Sequence, residues 1–309
     1  MASPASPPAP PGRIAALLAG RTSEAAYAAG WAFVRALPGP VAATLFRASG
    51  DVAFWRRPSS IDRMRANLAR VAPGQDLEAL TREAVRSYAR YWCEVFRLPV
   101  MSSEQIVGGT VTVGEGRMRD AVAGDRGMIL ALPHTGNWDQ AGAWCGATGA
   151  PFTTVAERLR PESLYDRFVA FRESLGMEVL PLTGGPRPPY EILVERLEAG
   201  RSLCLLADRD LSARGIDVEF FGATARMPAG PASLALRTGA ILIPTTLSFR
   251  PDGWQIEFHP EVEHTDVTTM TQSVADAFAR GIAAHPADWH MFQKLWLEDL
   301  DAGDPRRGR

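Results

Sequence analysis

The residue types best suited to acid–base chemistry meet in one short stretch, Leu-Pro-His134-Thr-Gly-Asn-Trp-Asp139. The apolar run at 128–132 just before it predicts a buried strand, which Pro133 and Gly136 end. His134 is therefore expected at the carboxyl end of a strand, where open α/β sheets place their ligands. A carboxylate such as Asp139 beside an imidazole fixes its tautomer and improves it as a general base. We expect His134 to act as a general base.

A second charged cluster, Ala207-Asp208-Arg209-Asp210, also follows an apolar run, at 203–206. Three functional interpretations are open. Asp208 could orient His134 from a neighbouring strand, Asp208 and Asp210 could hold a metal ion, or Arg209 could bind a phosphate. A plain salt-bridged strand end is the fourth interpretation. Arg209 counts against a metal because it partly neutralises the two acids.

A third cluster is basic. Glu157-Arg158 is followed by Arg160, Arg167 and Arg172, which supply several cations beside the expected site. They could hold the anionic part of a substrate. Pairing with acidic residues on the surface of a helix would explain Arg167 readily and Arg158 less well.

Nucleophilic side chains are not arranged for covalent catalysis. The sequence has no Gly-x-Ser-x-Gly motif. The three cysteines, Cys93, Cys145 and Cys204, lie far apart and are expected to be reduced packing residues. The remaining histidines show no metal-ligand spacing and are expected to be packed or on the surface: His259, His264, His285 and His290. A substrate hydroxyl is therefore expected to attack directly.

Strands and helices alternate after residue 105. Strands are predicted at 111–113, 128–132, 152–156, 178–181, 202–207, 218–220, 242–249 and 254–258. Helices are predicted at 141–148, 161–175, 188–199, 231–238 and 270–284. The alternation predicts an α/β fold with a central, mostly parallel (mixed) sheet and helices on both faces.

The amino-terminal third is basic and helical. Up to Pro99 the sequence has 13 arginines and 7 acidic residues, whereas the remainder has 20 basic and 28 acidic residues. Residues 14–57 predict two amphipathic helices broken at Pro38-Gly-Pro40, and residues 60–98 predict further helices, one of them capped by Asp76. Such a surface suits an anionic membrane, but these helices could equally cover the core of their own domain.

The expected organisation has four parts. Residues 1–12 form a disordered tail, 13–99 a helical, membrane-docking region packed on the core, 100–300 the catalytic α/β domain, and 301–309 a frayed tail. No apolar run reaches the roughly 20 residues that a transmembrane helix needs, and no signal peptide is recognised. The net charge of −2 gives no reason to expect nucleic-acid binding.

Together the motifs resemble one family. The ordered set joins Leu-Pro-His134-Thr-Gly-Asn-Trp-Asp139, Val-Ala-Glu157-Arg158-Leu, Phe171-Arg172-Glu-Ser-Leu-Gly, Ala207-Asp208-Arg209-Asp210-Leu, Glu219-Phe-Phe-Gly222 and Met227-Pro-Ala-Gly-Pro-Ala. It resembles the bacterial membrane acyltransferases that include the lipid A late acyltransferases. Within that family it is most similar to the mycobacterial branch that acylates phosphatidylinositol mannoside. The resemblance extends from about residue 14 to residue 297, and it includes Tyr88-Ala-Arg-Tyr-Trp92 and Pro286-Ala-Asp-Trp-His290-Met.

The resemblance implies transfer of a fatty acyl group, mainly palmitoyl, from acyl-CoA to a mannose hydroxyl of phosphatidylinositol mannoside. It implies a peripheral enzyme on the cytoplasmic face of the plasma membrane, with acyl-CoA as co-substrate and without a cofactor or metal. His134 corresponds to the family's base, and Asp139 to the aspartate of its His-x4-Asp motif. Asp208 stands where the mycobacterial branch has a glutamate that pairs with the histidine. Arg172 corresponds to an arginine near the lipid phosphate.

We therefore expect an α/β acyltransferase, acting as a monomer, in which His134 is the base and Asp208 or Asp139 supports it. Substrate-binding residues are expected to include Glu157, Arg158, Arg172, Arg209 and Asp210. Two alternatives remain: a metal-dependent glycosyltransferase that uses Asp208 and Asp210, and a non-catalytic lipid-binding protein of the same fold.

Overall fold

The computed structural model describes residues 30–158, 162–210 and 215–304. The expected tail at 1–12, the first part of the expected docking region and Arg160 lie outside the described residues. So does the end of the carboxyl-terminal tail, 305–309.

Helices dominate the amino-terminal region, as predicted. Residues 30–36 are helical, and α1 (Gly39–Arg56), α2 (Ser59–Val71) and α3 (Leu77–Arg97) follow. Asp76 caps α3, because its Oδ1 accepts the N–H groups of Glu78 and Ala79. Gly50 lets α1 lie close to α3, since a Cβ there would come within 3.3 Å of Ala89. No helix in the described part of the chain combines the length and the apolar character needed to cross a bilayer.

Within the described residues, seven strands form one mixed sheet in the order β1-β9-β8-β2-β5-β3-β4. Their bounds are β1 Thr110–Val113, β2 Met128–Leu132, β3 Phe152–Ala156, β4 Met177–Pro181, β5 Ser202–Leu206, β8 Ile241–Arg250 and β9 Gly253–Phe258. Neighbouring strands are parallel except β8 and β9, which are antiparallel. Strand β2 lies between β8 and β5, near the middle of the sheet.

A separate hairpin pairs β6 (Ile216–Phe220) with β7 (Ala223–Met227). The sequence did not predict β7, because Ala-Thr-Ala-Arg-Met has few of the β-branched and aromatic residues typical of strands. Its turn is also unusual. Phe221 and Gly222 both have positive φ, at 52° and 75°, which is the conformation of a tight hairpin turn with a bulky residue in its first position.

Helices cover both faces of the sheet. They are α4 (Ser103–Gly108), α5 (Glu115–Ala123), α6 (Trp138–Ala147), α7 (Glu162–Ser174), α8 (Pro189–Glu198), α9 (Gly230–Thr238) and α10 (Val267–Ala284). In β2, Ile129 and Ala131 join the core formed with α8, α9 and α10. Met128, Leu130 and Leu132 join the core on the other face, with α3 to α7. The predicted α/β fold class is confirmed.

Two helices were missed, and two others, α6 and α10, each begin three residues earlier than predicted. α4 and α5 are short, and the strand–helix pattern gave no signal for them. α6 was predicted to begin at Ala141 but begins at Trp138, because the side chain of Asn137 accepts the N–H of Gln140 and caps the helix. The turn that carries His134 is therefore only three residues long, 134–136, before the cap.

Candidate active site

The register of two neighbouring strands brings His134 and Asp208 together. β2 and β5 are parallel, and Leu132 is paired with Leu206. His134 and Asp208 each lie two residues beyond that pair. The N–H of Ala207 donates to the carbonyl of Leu132 at 2.8 Å, which continues the pairing toward the site. The two chain segments therefore reach the same edge of the sheet side by side.

Asp208 holds His134 through two hydrogen bonds. Nδ1 of His134 lies 2.5 Å from Oδ1 of Asp208, and the backbone N–H of His134 donates to Oδ2 at 2.9 Å. The indole N–H of Trp289 also donates to Oδ2, at 3.1 Å. Burial acts to raise the pKa of the fully buried Asp208, but attraction to His134 and these hydrogen bonds outweigh it, so the pKa lies below its ordinary value.

The ionised carboxylate fixes the tautomer of the imidazole. A carboxylate can only accept, so the proton of neutral His134 sits on Nδ1, and Nε2 is left with its lone pair. His134 also lines a cleft at the edge of the sheet. The ring nitrogen opposite Asp208 is thus the one that can take a proton from a molecule bound in that cleft. This is the arrangement of a general base.

Asp139 does not make this contact with His134. Its Oδ1 accepts from Nε of Arg172 at 2.7 Å, and its Oδ2 accepts from the hydroxyl of Tyr91 at 2.9 Å. Asp139 is buried, and burial, followed by repulsion from Asp139, raises the pKa of Tyr91 well above its ordinary value. Asp139 thus ties α6 to α7 and α3. Asp139 and Asp208 were the two predicted supports of His134. The structure shows that Asp208 is the one hydrogen-bonded to it.

The cleft beside His134 has a volume of about 720 Å³, within the range of sites for small molecules. We call it the His134 cleft. Its lining is mainly apolar and aromatic, with contributions from α3, β3, α7 and β5: Tyr91, Trp92, Trp138, Val155, Ala156, Tyr165, Phe168, Val169, Leu182, Leu205, Leu206 and Pro228. The volume and the mainly apolar lining suit an apolar group bound beside the imidazole.

Four of the five predicted substrate-binding residues line this cleft: Glu157, Arg172, Arg209 and Asp210. The guanidinium of Arg172 is engaged, because Nε and Nη2 contact Asp139 at 2.7 and 3.3 Å. The attraction to Asp139 outweighs the effect of burial and raises the pKa of Arg172. An anion bound there would share the guanidinium with Asp139.

Arg209 is the less compensated cation. Its side chain is 18% exposed, and its closest acidic contact is to the well-exposed Glu157, at 3.8 Å. Nε of Arg209 is buried and makes no hydrogen bond to any described residue. A buried donor of this kind favours an anionic or carbonyl oxygen as a partner.

The acidic pair favours internal support over metal binding. Oδ2 of the buried Asp210 accepts the N–H of Gly215 at 2.7 Å, while both oxygens of Asp208 accept hydrogen bonds from the chain. No group of three or more His, Cys, Asp and Glu side chains that could hold a metal ion occurs in the described ranges.

Arg158 was considered a poor fit to surface pairing, and that interpretation was wrong. Its guanidinium pairs with Glu162, four residues on, at 2.5 Å, and donates to the carbonyl of Gly184 at 3.0 Å. The i,i+4 spacing at the start of α7 explains this contact. Arg158 thus contacts Glu162 and Gly184 and is not among the residues that line the His134 cleft.

The family resemblance includes the segment around Trp289, but no residue pattern predicted that this segment supports His134. Trp289 donates to Asp208. His290, which was expected to be packed or on the surface, is buried and donates its backbone N–H to the carbonyl of His134 at 2.8 Å. Burial lowers the pKa of His290 to about 3. A tryptophan next to a histidine outside any strand carries no recognisable pattern, so only the folded chain reveals this role.

The thiols are unsuited to nucleophilic attack. Burial raises the pKa of Cys93 to about 11 and that of Cys145 to about 12. It also raises the pKa of Cys204. Thiols in such surroundings stay protonated at neutral pH.

Comparison with known proteins identifies the family. The family model of bacterial lipid A biosynthesis acyltransferases matches residues 14–298. A phosphatidylinositol mannoside acyltransferase of Mycolicibacterium smegmatis is 50% identical over 297 residues, which span 94% of this chain and 96% of that protein. The protein of the same name in Mycobacterium tuberculosis H37Rv is 49% identical over 282 residues, 89% of each chain. The resemblance stated from the motifs is thus confirmed, and the chain belongs to the bacterial lipid A biosynthesis acyltransferase family.

Proposed function

We propose that the protein transfers a fatty acyl group, preferably palmitoyl, from acyl-CoA to a mannose hydroxyl of phosphatidylinositol mannoside. The acceptor is taken from relatives that are about half identical to this chain over nearly its full length. The observation that carries the proposed chemistry is the pair His134–Asp208, whose imidazole borders an apolar cleft of about 720 Å³.

In the proposed reaction the mannose hydroxyl attacks the thioester carbonyl directly. Nε2 of His134 takes the hydroxyl proton as the C–O bond forms, and Asp208 stabilises the imidazolium. The tetrahedral intermediate then collapses, the C–S bond breaks, and the coenzyme A thiolate receives the proton from His134. The raised pKa values of the thiols support this route, since a covalent acyl-enzyme would need an activated nucleophile.

The apolar lining suggests where the acyl chain lies. Leu205, Leu206 and Val155 come from the strand ends, and Phe168 and Trp92 form aromatic walls. Burial of each methylene of an acyl chain contributes about 0.8 kcal/mol. A fatty chain therefore gains much more from this cleft than a sugar nucleotide would. Arg209 then lies where it could receive an anionic oxygen of either substrate.

The amino-terminal helices support a peripheral position on a membrane. Val41, Leu45, Val52 and Trp55 of α1 are exposed, and their spacing sets them on one face of the helix. Trp55 is 72% exposed. Arg47, Arg56 and Arg57 add positive charge to the same element and its end. Such a face suits an anionic leaflet, and we propose the cytoplasmic face of the plasma membrane.

The docking region also approaches the cleft. Trp31, in the helical segment 30–36, contacts the ring of Phe168 with centroids 5.6 Å apart. Phe168 lines the His134 cleft. A lipid substrate that leaves the membrane beside these helices would have only a short path to His134.

Mass spectrometry of the lipid product tests the proposed function. Purified protein is incubated with palmitoyl-CoA and phosphatidylinositol mannoside in mixed vesicles. We expect a product heavier by one palmitoyl group, with release of free coenzyme A. Recovery of the unmodified phosphatidylinositol mannoside alone would overturn the proposal.

Two controls separate the alternatives. A chelator should leave acyl transfer unchanged, whereas a metal-dependent sugar transferase that uses Asp208 and Asp210 would lose activity. A non-catalytic lipid-binding protein would bind the vesicles but release no coenzyme A above the rate without protein.

A further inference from the structure

A short segment after α10 runs directly beneath the turn that carries His134. It consists of the 3-10 helix Pro286–Asp288 followed by Trp289 and His290. The N–H of Gly136 donates to the carbonyl of Asp288 at 2.9 Å, and the N–H of His290 donates to the carbonyl of His134 at 2.8 Å. Thr135 and Trp289 form an isolated antiparallel bridge. The backbone on both sides of the imidazole is thus held by residues from the far end of the chain.

The side chain of Trp289 continues this support to the carboxylate. Its Nε1–H donates to Oδ2 of Asp208 at 3.1 Å. The same oxygen accepts the backbone N–H of His134 at 2.9 Å, which leaves Oδ1 for the imidazole. Rotation of the carboxylate about its Cβ–Cγ bond would break both bonds to Oδ2. Because an indole N–H can only donate, it also favours the ionised carboxylate.

Both groups are out of contact with water. Asp208 is fully buried and Trp289 is buried against the rings of Phe220 and Trp296, with centroids 6.1 and 6.2 Å away. Water cannot replace a donor that is lost from a buried carboxylate. Removal of one N–H therefore destabilises the ionised carboxylate by the whole contribution of that hydrogen bond. This packing also holds the indole ring in one orientation, in which its N–H points at Asp208.

We infer that Trp289 is a positioning residue for acyl transfer, which orients the Asp208 carboxylate and thereby the imidazole of His134. This inference rests on the proposed function of His134 as the general base. Trp289 does not touch a substrate in this arrangement, and it acts through Asp208. Its indole N–H, rather than its bulk, is the feature that matters.

The test compares two tryptophan-to-phenylalanine variants. Trp289→Phe keeps an aromatic ring but removes the donor to Asp208. Trp296→Phe is the matched control, because Trp296 is equally buried and its Nε1–H donates at 2.7 Å to the carbonyl of Phe220 instead. We expect both variants to lose thermal stability to a similar extent.

Only Trp289→Phe should change the chemistry. We expect kcat to fall roughly tenfold with little change in KM, because one hydrogen bond to a buried charge is lost. The acidic limb of the kcat/KM profile should move to higher pH, because a less stabilised carboxylate makes the His134–Asp208 pair hold its proton more tightly. Equal kcat losses in both variants, with an unchanged pH profile, would reduce Trp289 to a packing residue and overturn the inference.

A second measurement does not depend on catalysis. The Nδ1 proton of His134 should give a low-field proton NMR resonance that is absent from Asp208→Asn, displaced in Trp289→Phe and unchanged in Trp296→Phe. If His134→Ala transferred acyl groups normally, the proposed function would fail while the resonance would still report on the positioning. An undisplaced resonance in Trp289→Phe would contradict the positioning itself.

Discussion

At the scale of single residues, two similar aspartates have different roles because their partners differ. Asp208 accepts from Nδ1 and the backbone N–H of His134, whereas Asp139 forms a buried ion pair with Arg172. Asp208 therefore tunes the imidazole, and Asp139 holds three helices together. The His-x4-Asp spacing identifies Asp139, which holds the helices around the site. The register of β2 and β5 brings in Asp208, which is hydrogen-bonded to the proposed base.

Asp208→Asn should abolish most of the acyl transfer while the fold is kept. The amide NH2 of asparagine would face either the donors to Oδ2, which are the backbone N–H of His134 and the indole of Trp289, or Nδ1 of His134. In the second case His134 must take its other tautomer, with the proton on Nε2. We expect kcat to fall at least about a hundredfold, because the wrong tautomer causes large losses in catalytic triads.

Asp139→Asn is the contrasting variant and should lower the free energy of unfolding by about 3 kcal/mol, because it leaves Arg172 buried without its charge partner. Coenzyme A release and urea denaturation measure the two effects, and the reverse pattern would contradict these roles.

His290 should make the fold sensitive to mild acid. Burial lowers its pKa from 6.5 to about 3, so between these values the unfolded chain binds a proton that the folded protein does not. Stability should therefore fall as the pH drops below 6.5 and continue to fall toward pH 3. In His290→Gln the fall should be shallower by up to about 1.4 kcal/mol per pH unit. Urea denaturation at pH 7, 6 and 5 checks this, and equal slopes in the two proteins would refute it.

At the scale of elements, the contact between α10 and β8 depends on one glycine. A Cβ at Gly281 would lie 2.5 Å from Cγ2 and Oγ1 of the buried Thr246. The helix must therefore move away from the sheet if the residue is larger. This tight contact fixes the end of α10, from which the segment under His134 continues.

Gly281→Ala should lower the free energy of unfolding by about 1–3 kcal/mol, as overpacking in cores does. Gly116→Ala is the matched control, because Gly116 lies in α5 and a Cβ there would meet nothing within 4 Å. The control should be neutral or stabilise the fold by up to about 1 kcal/mol. Thermal or urea denaturation measures both variants. Equal effects of the two substitutions would contradict this prediction, because they would show that the helix can move away from Thr246 without loss of stability.

The strands were more predictable than their arrangement. β2 and β5 are continuous apolar runs that end in charged or turn residues, so their existence and their ends followed from the sequence. Nothing in either run specifies that β5 lies beside β2, with Leu132 opposite Leu206, and yet that register selects Asp208. The resemblance covers Trp289, but its role could not be predicted, because it depends on a contact with Asp208, which lies far earlier in the chain.

At the scale of the whole molecule, we propose that lipid passes from the apolar face of α1 to the His134 cleft. Leu45 and Trp55 expose apolar surface to solvent, and the neighbouring helical segment contacts the wall of the cleft through Trp31. Burial of such side chains in the membrane interface, together with arginine, would hold the protein at its substrate.

The double variant Leu45→Asp/Trp55→Asp should weaken binding to vesicles that contain anionic lipid by at least about tenfold, because apolar burial is lost and negative charge is added. Leu236→Asp, which alters an exposed leucine outside the amino-terminal helices, is the control and should bind as the unaltered protein does. Vesicle sedimentation measures both. Undiminished binding by the double variant would exclude this face of α1 as the docking surface.

The rate of acyl transfer by His134→Ala is the most direct test of the general base. The variant leaves the buried Asp208 without its imidazole partner, so the melting temperature should fall. The backbone N–H of residue 134 and the indole of Trp289 still donate to Asp208, so the circular dichroism spectrum of the folded protein should be kept. With palmitoyl-CoA and phosphatidylinositol mannoside, we expect coenzyme A release to fall to the rate measured without protein. Near-normal release by the folded variant would contradict the assignment of His134 as the base.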